Sequence, residues 1–316
     1  MGLWTALGAL WLALAIDHLW GEPRARWHPV VWMGHYLVAA GRRIAPGTPS
    51  DGPDWRAFWA GGLAWSLGLL VVLLLANLAV ALLMQLPWWG TALGLGLLLK
   101  PMLAWRMLAG EAAAVEAALH ESLDAGRGRL AHLVSRDVSQ LTESEVRESA
   151  IESLAENLSD SVVAPIFWFV LLGLPGAAAY RFANTADAMW GYRGLHGGRY
   201  WTWAGKWAAR ADDVLSWLPA RLTALLLGLA AGGLPPGKLW REAVRTPSPN
   251  SGWPMAAMAL ALGVCLRKPG VYALNAGQRP PVAADMRRAC ALAARAVLGS
   301  LLIACAFLFL TTSTTT

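Results

Sequence analysis

Charge is scarce in this chain. Only 15% of its 316 residues are Asp, Glu, Lys or Arg, against 56% hydrophobic ones, and a mean hydropathy of +0.43 excludes an ordinary soluble domain. Cysteine is scarcer still: Cys265, Cys290 and Cys305 sit in apolar stretches with no partner at metal-ligand or redox spacing, so they read as packing residues. A basic stripe is absent as well. The arginines behind the net charge of +6 are scattered between hydrophobic runs, which excludes a nucleic-acid partner. The His-Glu-x-x-His zinc helix, the nucleophile elbow and the dinucleotide fingerprint are all missing. The sequence GGLPPGK at 232–238 begins like a phosphate-binding loop, but Leu239 stands where Ser or Thr is required. Pro235 and Pro236 also remove two amide donors that such a loop needs.

What the chain does have is tryptophan, 19 residues of it, a side chain that collects where a bilayer meets water. About 20 apolar residues are needed to cross the hydrocarbon, and residues 3–16, 58–86, 88–108 and 289–310 are the four segments that qualify. The first lacks the basic start and the Ala-x-Ala-like site of a signal peptide, so it is expected to remain as an anchor. The third is interrupted by Lys100 and Arg106, which puts its cytoplasmic end near Lys100. With these spans, every Lys and Arg except Arg295 falls in or beside 19–57 and 101–288, the pattern of cytoplasmic loops, and both termini are expected to be periplasmic. Three further apolar runs, 162–173, 222–234 and 255–266, are too short and too rich in bordering prolines to cross. They read as buried helices or re-entrant hairpins, with paired crossings as the alternative. The expected fold is one all-α, polytopic membrane domain over 1–316, with about four full spans plus short buried or re-entrant helices.

Polar motifs lie between the apolar runs. Asp17, His18, Gly21, Glu22 and Pro23, followed by His28 and Pro29, form a juxtamembrane turn. From Thr142 to Asp160 the pattern is helical, opening on a capping box of Thr142 and Glu145. Along it Glu148, Glu152, Glu156 and Asp160 recur every four residues, down one side, with only Arg147 nearby. An exposed acidic face is one reading. The other is a cation site, because Mg²⁺ prefers carboxylate oxygens, usually shared with substrate phosphates, and Asn157 adds a neutral oxygen. Asn184 and Asp187 share a helix face at a spacing of three. Adjacent Asp212 and Asp213 cannot both face one way, so at most one is a ligand. Arg136, Arg210 and Arg221 have the planar fork that grips phosphate or carboxylate, or they serve in ordinary ion pairs. Ser248 and Asn250 belong to a proline-flanked turn before an apolar helix, free to cap it or to touch a ligand.

In order along the chain, DHLWGEP with HPVVWMG, SRDVSQL, ESAIESLAENLSDSVVAP, ANTADAMWGY, AARADDVLSWLPARLT and TPSPNSGWP resemble the motifs of the cobinamide (phosphate) synthase family of cobalamin biosynthesis, from Asp17 to Pro254. The resemblance implies an inner-membrane amide synthase, a ligase using ATP and Mg²⁺. It would join (R)-1-aminopropan-2-ol or its O-phosphate to a propionate of adenosylcobyric acid, with an acyl phosphate attacked by the amine as the simplest route. It implies that Glu152, Glu156, Asp160 and Asp187, or Asp213, hold the metal and do the catalysis. Arg136, Arg210 and Arg221 would bind phosphate and carboxylate, and Asn157, Asn184 and Asn250 would orient amine or corrin amides. Asp17, Glu22, His28, Asp137, Asp212 and Ser248 fall among the substrate-binding positions. Corrinoid, aminopropanol (phosphate) and membrane lipid are the expected partners; a homo-oligomer or a complex with other corrin-pathway enzymes is left open. The chain departs from the family pattern at Met255, where an acidic residue is expected, at Arg267 and Lys268 in place of two glycines, and at Ser161 and Ser216. The competing classes are a non-catalytic membrane relative in signalling or assembly and, more weakly, a transporter, whose charges belong within spans.

Overall fold

The computed structural model describes residues 2–134 and 137–313. Its helices in chain order are α1 (Leu3–Trp20), α2 (Pro29–Ile44), α3 (Trp55–Leu83), α4 (Trp88–Leu99), α5 (Trp105–Glu121), α6 (Leu123–Leu130), α7 (Glu143–Leu158), α8 (Ala164–Trp190), α9 (Lys206–Leu215), α10 (Trp217–Ala230), α11 (Pro236–Ala243), α12 (Gly252–Leu262) and α13 (Ala283–Ser313). Among the described residues the only strands are two antiparallel hairpins, β1 (Leu195–His196) with β2 (Arg199–Tyr200), and β3 (Leu266–Lys268) with β4 (Tyr272–Leu274). The fold is all-α, which a lipid environment favours because helices satisfy their own backbone.

Among the described residues, five helices are long and apolar enough to cross a membrane, or six if Lys206–Leu215 and Trp217–Ala230 count as one broken span. Three of them, Leu3–Trp20, Trp88–Glu121 and Ala283–Thr311, take in expected segments, and Trp55–Leu83 covers the expected 58–86 except its last residues, which form the turn before α4. α4 ends at Leu99 and gives way to a 3-10 turn at Lys100–Met102, where the charge predicts its end. The fifth, Glu143–Trp190, corrects the expectation that prolines isolate 162–173. Pro165 is accommodated by a π-helical turn at Ser159–Val163. The Ser161 carbonyl, which a proline cannot serve, accepts the Ala104 N–H at 3.1 Å.

Length and composition alone overstate α8. Gly173 has φ 67 and ψ −160, which no helix tolerates. A Cβ on Gly176 would lie 2.5 Å from the Trp168 carbonyl oxygen, although eight helical residues span about 12 Å. The chain therefore turns sharply at Gly173, and α8 is two shorter arms.

The chain divides into two compact units, one of residues Met1–Leu103, Ala164–Leu215 and Cys305–Thr316, the other of Ala104–Val163 and Ser216–Ala304. In the first, α1 packs on α4. Small residues allow close approach: a Cβ on Gly96 would sit 2.9 Å from Leu12 and 3.1 Å from the Ala9 carbonyl. In the second, α7 is the central helix, packed by α5, α6, α12 and β3. The cysteines carry no disulfide.

Candidate functional site

The site is built from α7 outward. Its start is the predicted capping box: the Glu145 N–H donates to Thr142 Oγ1 (3.4 Å) and the Thr142 N–H to Glu145 Oε2 (2.7 Å). The acidic row does not face water. Glu148 is fully buried and Glu152 is 5% exposed, which excludes the exposed acidic face. Buried charge needs a partner, and for Glu148 that partner is Arg267 of β3. Arg267 Nη2 donates to Oε1 at 2.8 Å, Nε to Oε2 at 3.1 Å, and the Arg267 backbone N–H to Oε2 at 2.8 Å.

One turn on, Glu152 and Glu156 line a polar cavity of about 180 Å³ with Asn157. Lys268 and Tyr272 of the β3–β4 hairpin and Met255 of α12 line it too. Asn157 Nδ2 donates to the Ser153 carbonyl at 2.9 Å. The departures at 255, 267 and 268 thus converge on the acidic helix. Asp160 lies in the π-helical turn, which breaks the four-residue spacing, and it does not line the cavity.

In the same unit Arg221 lies between the rings of Trp217 and Trp253, 4.2 and 4.8 Å from their centroids. Its Nη1 donates to Asn250 Oδ1 at 3.1 Å and its Nη2 to the Pro249 carbonyl at 3.3 Å. Ser248 Oγ accepts the N–H groups of Asn250 and Ser251, each at 3.2 Å. Arg221, Ser248 and Asn250 are therefore brought together, chiefly to fix the turn that enters α12. Asp137 is apart, its Oδ1 accepting the Ser139 N–H at 2.9 Å, a bond that holds its carboxyl below the ordinary range. Arg136 lies outside the described residues.

The first unit holds two clusters. At the end of α1, Asp17 is fully buried, with Lys100 Nζ 3.1 Å from its Oδ1 and 2.9 Å from Glu22 Oε1. His28 completes the chain: its Nδ1 accepts the Val30 N–H at 3.3 Å, so Nε2 carries the proton and donates it to Glu22 Oε2 at 3.0 Å. Burial raises the Glu22 carboxyl, but His28 and Lys100 outweigh it and leave it below its ordinary value. Asp17, Glu22 and His28 thus form an internal ion network with Lys100.

The second cluster joins the end of α8 to α9. Asn184 Nδ2 donates to Asp212 Oδ1 at 3.3 Å. Asp213 turns away from it, with Arg210 at 3.9 Å, and lies near enough to Asp187 for their charges to repel. Arg210, Arg193, Lys206 and Asp213 line a cavity of about 230 Å³.

The four carboxylates expected as one metal set are divided between the two units. Glu152, Glu156 and Asp160 belong to the second unit and Asp187 to the first. No group of three or more His, Cys, Asp or Glu among the described residues could hold a metal ion. Mg²⁺ that arrives with phosphates needs only one or two carboxylates. Asp213 lines a cavity with Arg193, Lys206 and Arg210, and Asp187 is not among its lining residues.

Residues 10–298 match the family described as CobD/Cbib protein. The chain belongs to the CobD/CbiB family. It is 44% identical to the cobalamin biosynthesis protein CobD of Chromobacterium violaceum, covering 86% of this chain and 84% of that one. It is 40% identical to the probable cobalamin biosynthesis protein CobD of Methanothermobacter thermautotrophicus, over 86% and 87%. With the cobalamin biosynthesis protein CobD of Rhodobacter capsulatus the identity is 38%, over 92% and 94%. No solved structure matches the chain. The sequence alone did not point to Arg193, Lys206 and Lys268 as residues that line the cavities of this CobD/CbiB family member. Lys268 alone carried a signal, as a departure from the family pattern; the others stand in unremarkable contexts.

Proposed function

We propose that this chain forms an amide between (R)-1-aminopropan-2-ol, or its O-phosphate, and a propionate carboxylate of adenosylcobyric acid, at the expense of ATP. The product is adenosylcobinamide or its phosphate. The observation that carries this reading is the cavity on α7, where Glu152 and Glu156 are brought together on a buried helix in a chain of cobalamin-biosynthesis kinship.

An alkyl amine is an ammonium ion at neutral pH and attacks only after losing a proton. Glu152 and Glu156 hold that ammonium and accept its proton. ATP with Mg²⁺ supplies the phosphoryl group that makes a carboxylate oxygen a leaving group. Asp187 and Asp213, close enough to repel, would hold the metal, and Arg193, Lys206 and Arg210, which line a cavity with Asp213, would take the phosphates. Lys268 lines the same cavity as Glu152 and Glu156, which suits that cavity to a monovalent ammonium. In the amide-forming step the C–N bond forms, the C–O bond to phosphate breaks, and phosphate leaves with the electron pair. An apolar cavity of about 300 Å³, walled by Trp32, Met33 and Met102, offers a surface for the apolar side of a corrinoid. We place the reaction at the cytoplasmic face of the inner cell membrane.

The test is amide formation by the purified chain, given ATP, Mg²⁺, adenosylcobyric acid and either amine, and followed by mass spectrometry of the corrinoid. Glu156→Gln is expected to lower kcat by about 10²–10⁴-fold. A folded wild-type chain that makes no amide sinks the reading.

A further inference from the structure

The end of α2 and the β1–β2 hairpin, with the end of α8, enclose a cavity of about 220 Å³ that no step of amide formation uses. Its charged and titratable lining is Arg42, Arg199 and His196, with no carboxylate among the described residues. The sequence has no Asp or Glu between Glu22 and Asp51, nor between Asp187 and Asp212, the two segments that supply the walls. Those walls are held in place. Trp190 and Trp201 stack at 6.0 Å with their planes 17° apart, and their indole N–H groups donate to the Leu37 and His196 carbonyls at 3.1 and 3.2 Å. Gly41 makes room for the rings, since a Cβ there would lie 2.8 Å from Trp201. Arg199 Nη1 donates to the Ala45 carbonyl at 2.7 Å and the Tyr200 N–H to the Pro46 carbonyl at 2.8 Å, which fastens the hairpin to α2. The cavity shares Trp201, but none of its cationic residues, with the cavity of Arg193, Lys206 and Arg210.

A helix C-terminus carries about half an elementary negative charge, and the bond from Arg199 to Ala45 already offsets that of α2. Arg42 is exposed and has no ion-pair partner among the described residues, so its positive charge is in excess. The surroundings are those of a bilayer surface. Trp32, His35, Val38, Arg42 and Arg43 are exposed along one side of α2, apolar and basic together, as in a helix that lies at the interface. Trp55 and Trp59, exposed at the start of α3, make ring contacts with Trp203 and Trp207, an aromatic belt where a span begins. We propose that the cavity holds the headgroup phosphate of an anionic phospholipid from the surrounding bilayer. Arg42 and Arg199 meet the phosphate oxygens, His196 donates a hydrogen bond, and Val38, which lines the cavity and is 42% exposed, meets the first apolar carbons. The volume lies below the roughly 300–1,000 Å³ of sites for drug-sized ligands, which suits a headgroup and excludes a whole lipid.

The experiment titrates phosphatidylglycerol, with phosphatidylcholine as the neutral comparison, against the purified full chain in detergent, and reads bound lipid by native mass spectrometry. Wild type is expected to retain phosphatidylglycerol in preference to phosphatidylcholine. Arg42→Gln should weaken phosphatidylglycerol about fivefold, and Arg42→Gln with Arg199→Gln about 20-fold or more. Should the double variant fail to fold, Arg42→Gln, at an exposed position, decides alone. Arg43→Gln with Arg56→Gln removes two charges from exposed positions that do not line the cavity, and is expected to cost less than Arg42→Gln by itself. An equal or larger loss in that control means diffuse attraction to a basic surface and overturns the site, as does equal retention of the two lipids by wild type. Inorganic phosphate is the second probe. Phosphatidylglycerol that stays bound against the same concentration of phosphate supports the proposal, and phosphatidylglycerol that is displaced makes this a site for a soluble anion and overturns it.

Discussion

A buried ion network shows most plainly what individual residues contribute. Lys100 is 3% exposed and Asp17 not at all, so removing one partner leaves the other as an unpaired charge in a low dielectric. Lys100→Met is expected to destabilise the chain by about 3–5 kcal/mol, read as a lower melting temperature in detergent. Adding Asp17→Asn to it should recover part of the loss, and a double variant no better than the single one would show that the pair is not coupled. Glu22 makes the same network sensitive to acid. Its carboxyl lies below the ordinary 4.5 in the folded chain, so its contribution is fully present above that value and disappears as pH falls through the lower folded one. Melting temperature should therefore drop below pH 4.5 more steeply in wild type than in Glu22→Gln. The sequence announced Asp17, Glu22 and His28 as a polar turn, but not their purpose. Lys100 read only as the end of a helix, because nothing local says that a distant lysine will be drawn into a buried carboxylate.

At the scale of elements, local signals were legible and long-range ones were not. The capping box fixed the start of α7 at the predicted residue, since the bonds that make it span three residues. The inward turn of Glu148 and Glu152 depends on the β3–β4 hairpin, more than a hundred residues later, and no periodicity within α7 could reveal it. Carboxylates at a four-residue spacing look the same whether water or an arginine meets them. The break in α8 has a local cause of another kind. Gly173 occupies φ 67, a conformation that a side chain disfavours, so Gly173→Ala is expected to cost about 1–3 kcal/mol. Gly110, helical within α5 and with open space around it, is the matched control. Gly110→Ala should stabilise by about 0.5–1 kcal/mol. Equal melting temperatures for the two alanine variants would mean that the turn at Gly173 is not enforced.

For the whole molecule, the turn at Gly173 bears on which face of the membrane each motif meets. Were α8 a single straight crossing, the acidic helix α7 and the β1–β2 hairpin that follows α8 would lie on opposite faces. A segment that enters and returns is expected to put both termini of that segment on one face, the face where the positive-inside pattern puts the scattered Lys and Arg residues. Impermeant maleimide labelling of single cysteines, in a background lacking the native three, separates these arrangements. Thr48, His132 and Leu195 are exposed positions beside the motif-bearing segments, and Gln85 is exposed in the turn between α3 and α4. Cysteines at the first three are expected to label from the cytoplasmic side only, in inverted vesicles, and one at Gln85 from the other side only, in intact spheroplasts. Labelling at 195 from the side opposite to 132 would make α8 a full crossing, and the two carboxylate pairs would have to belong to separate chemistry.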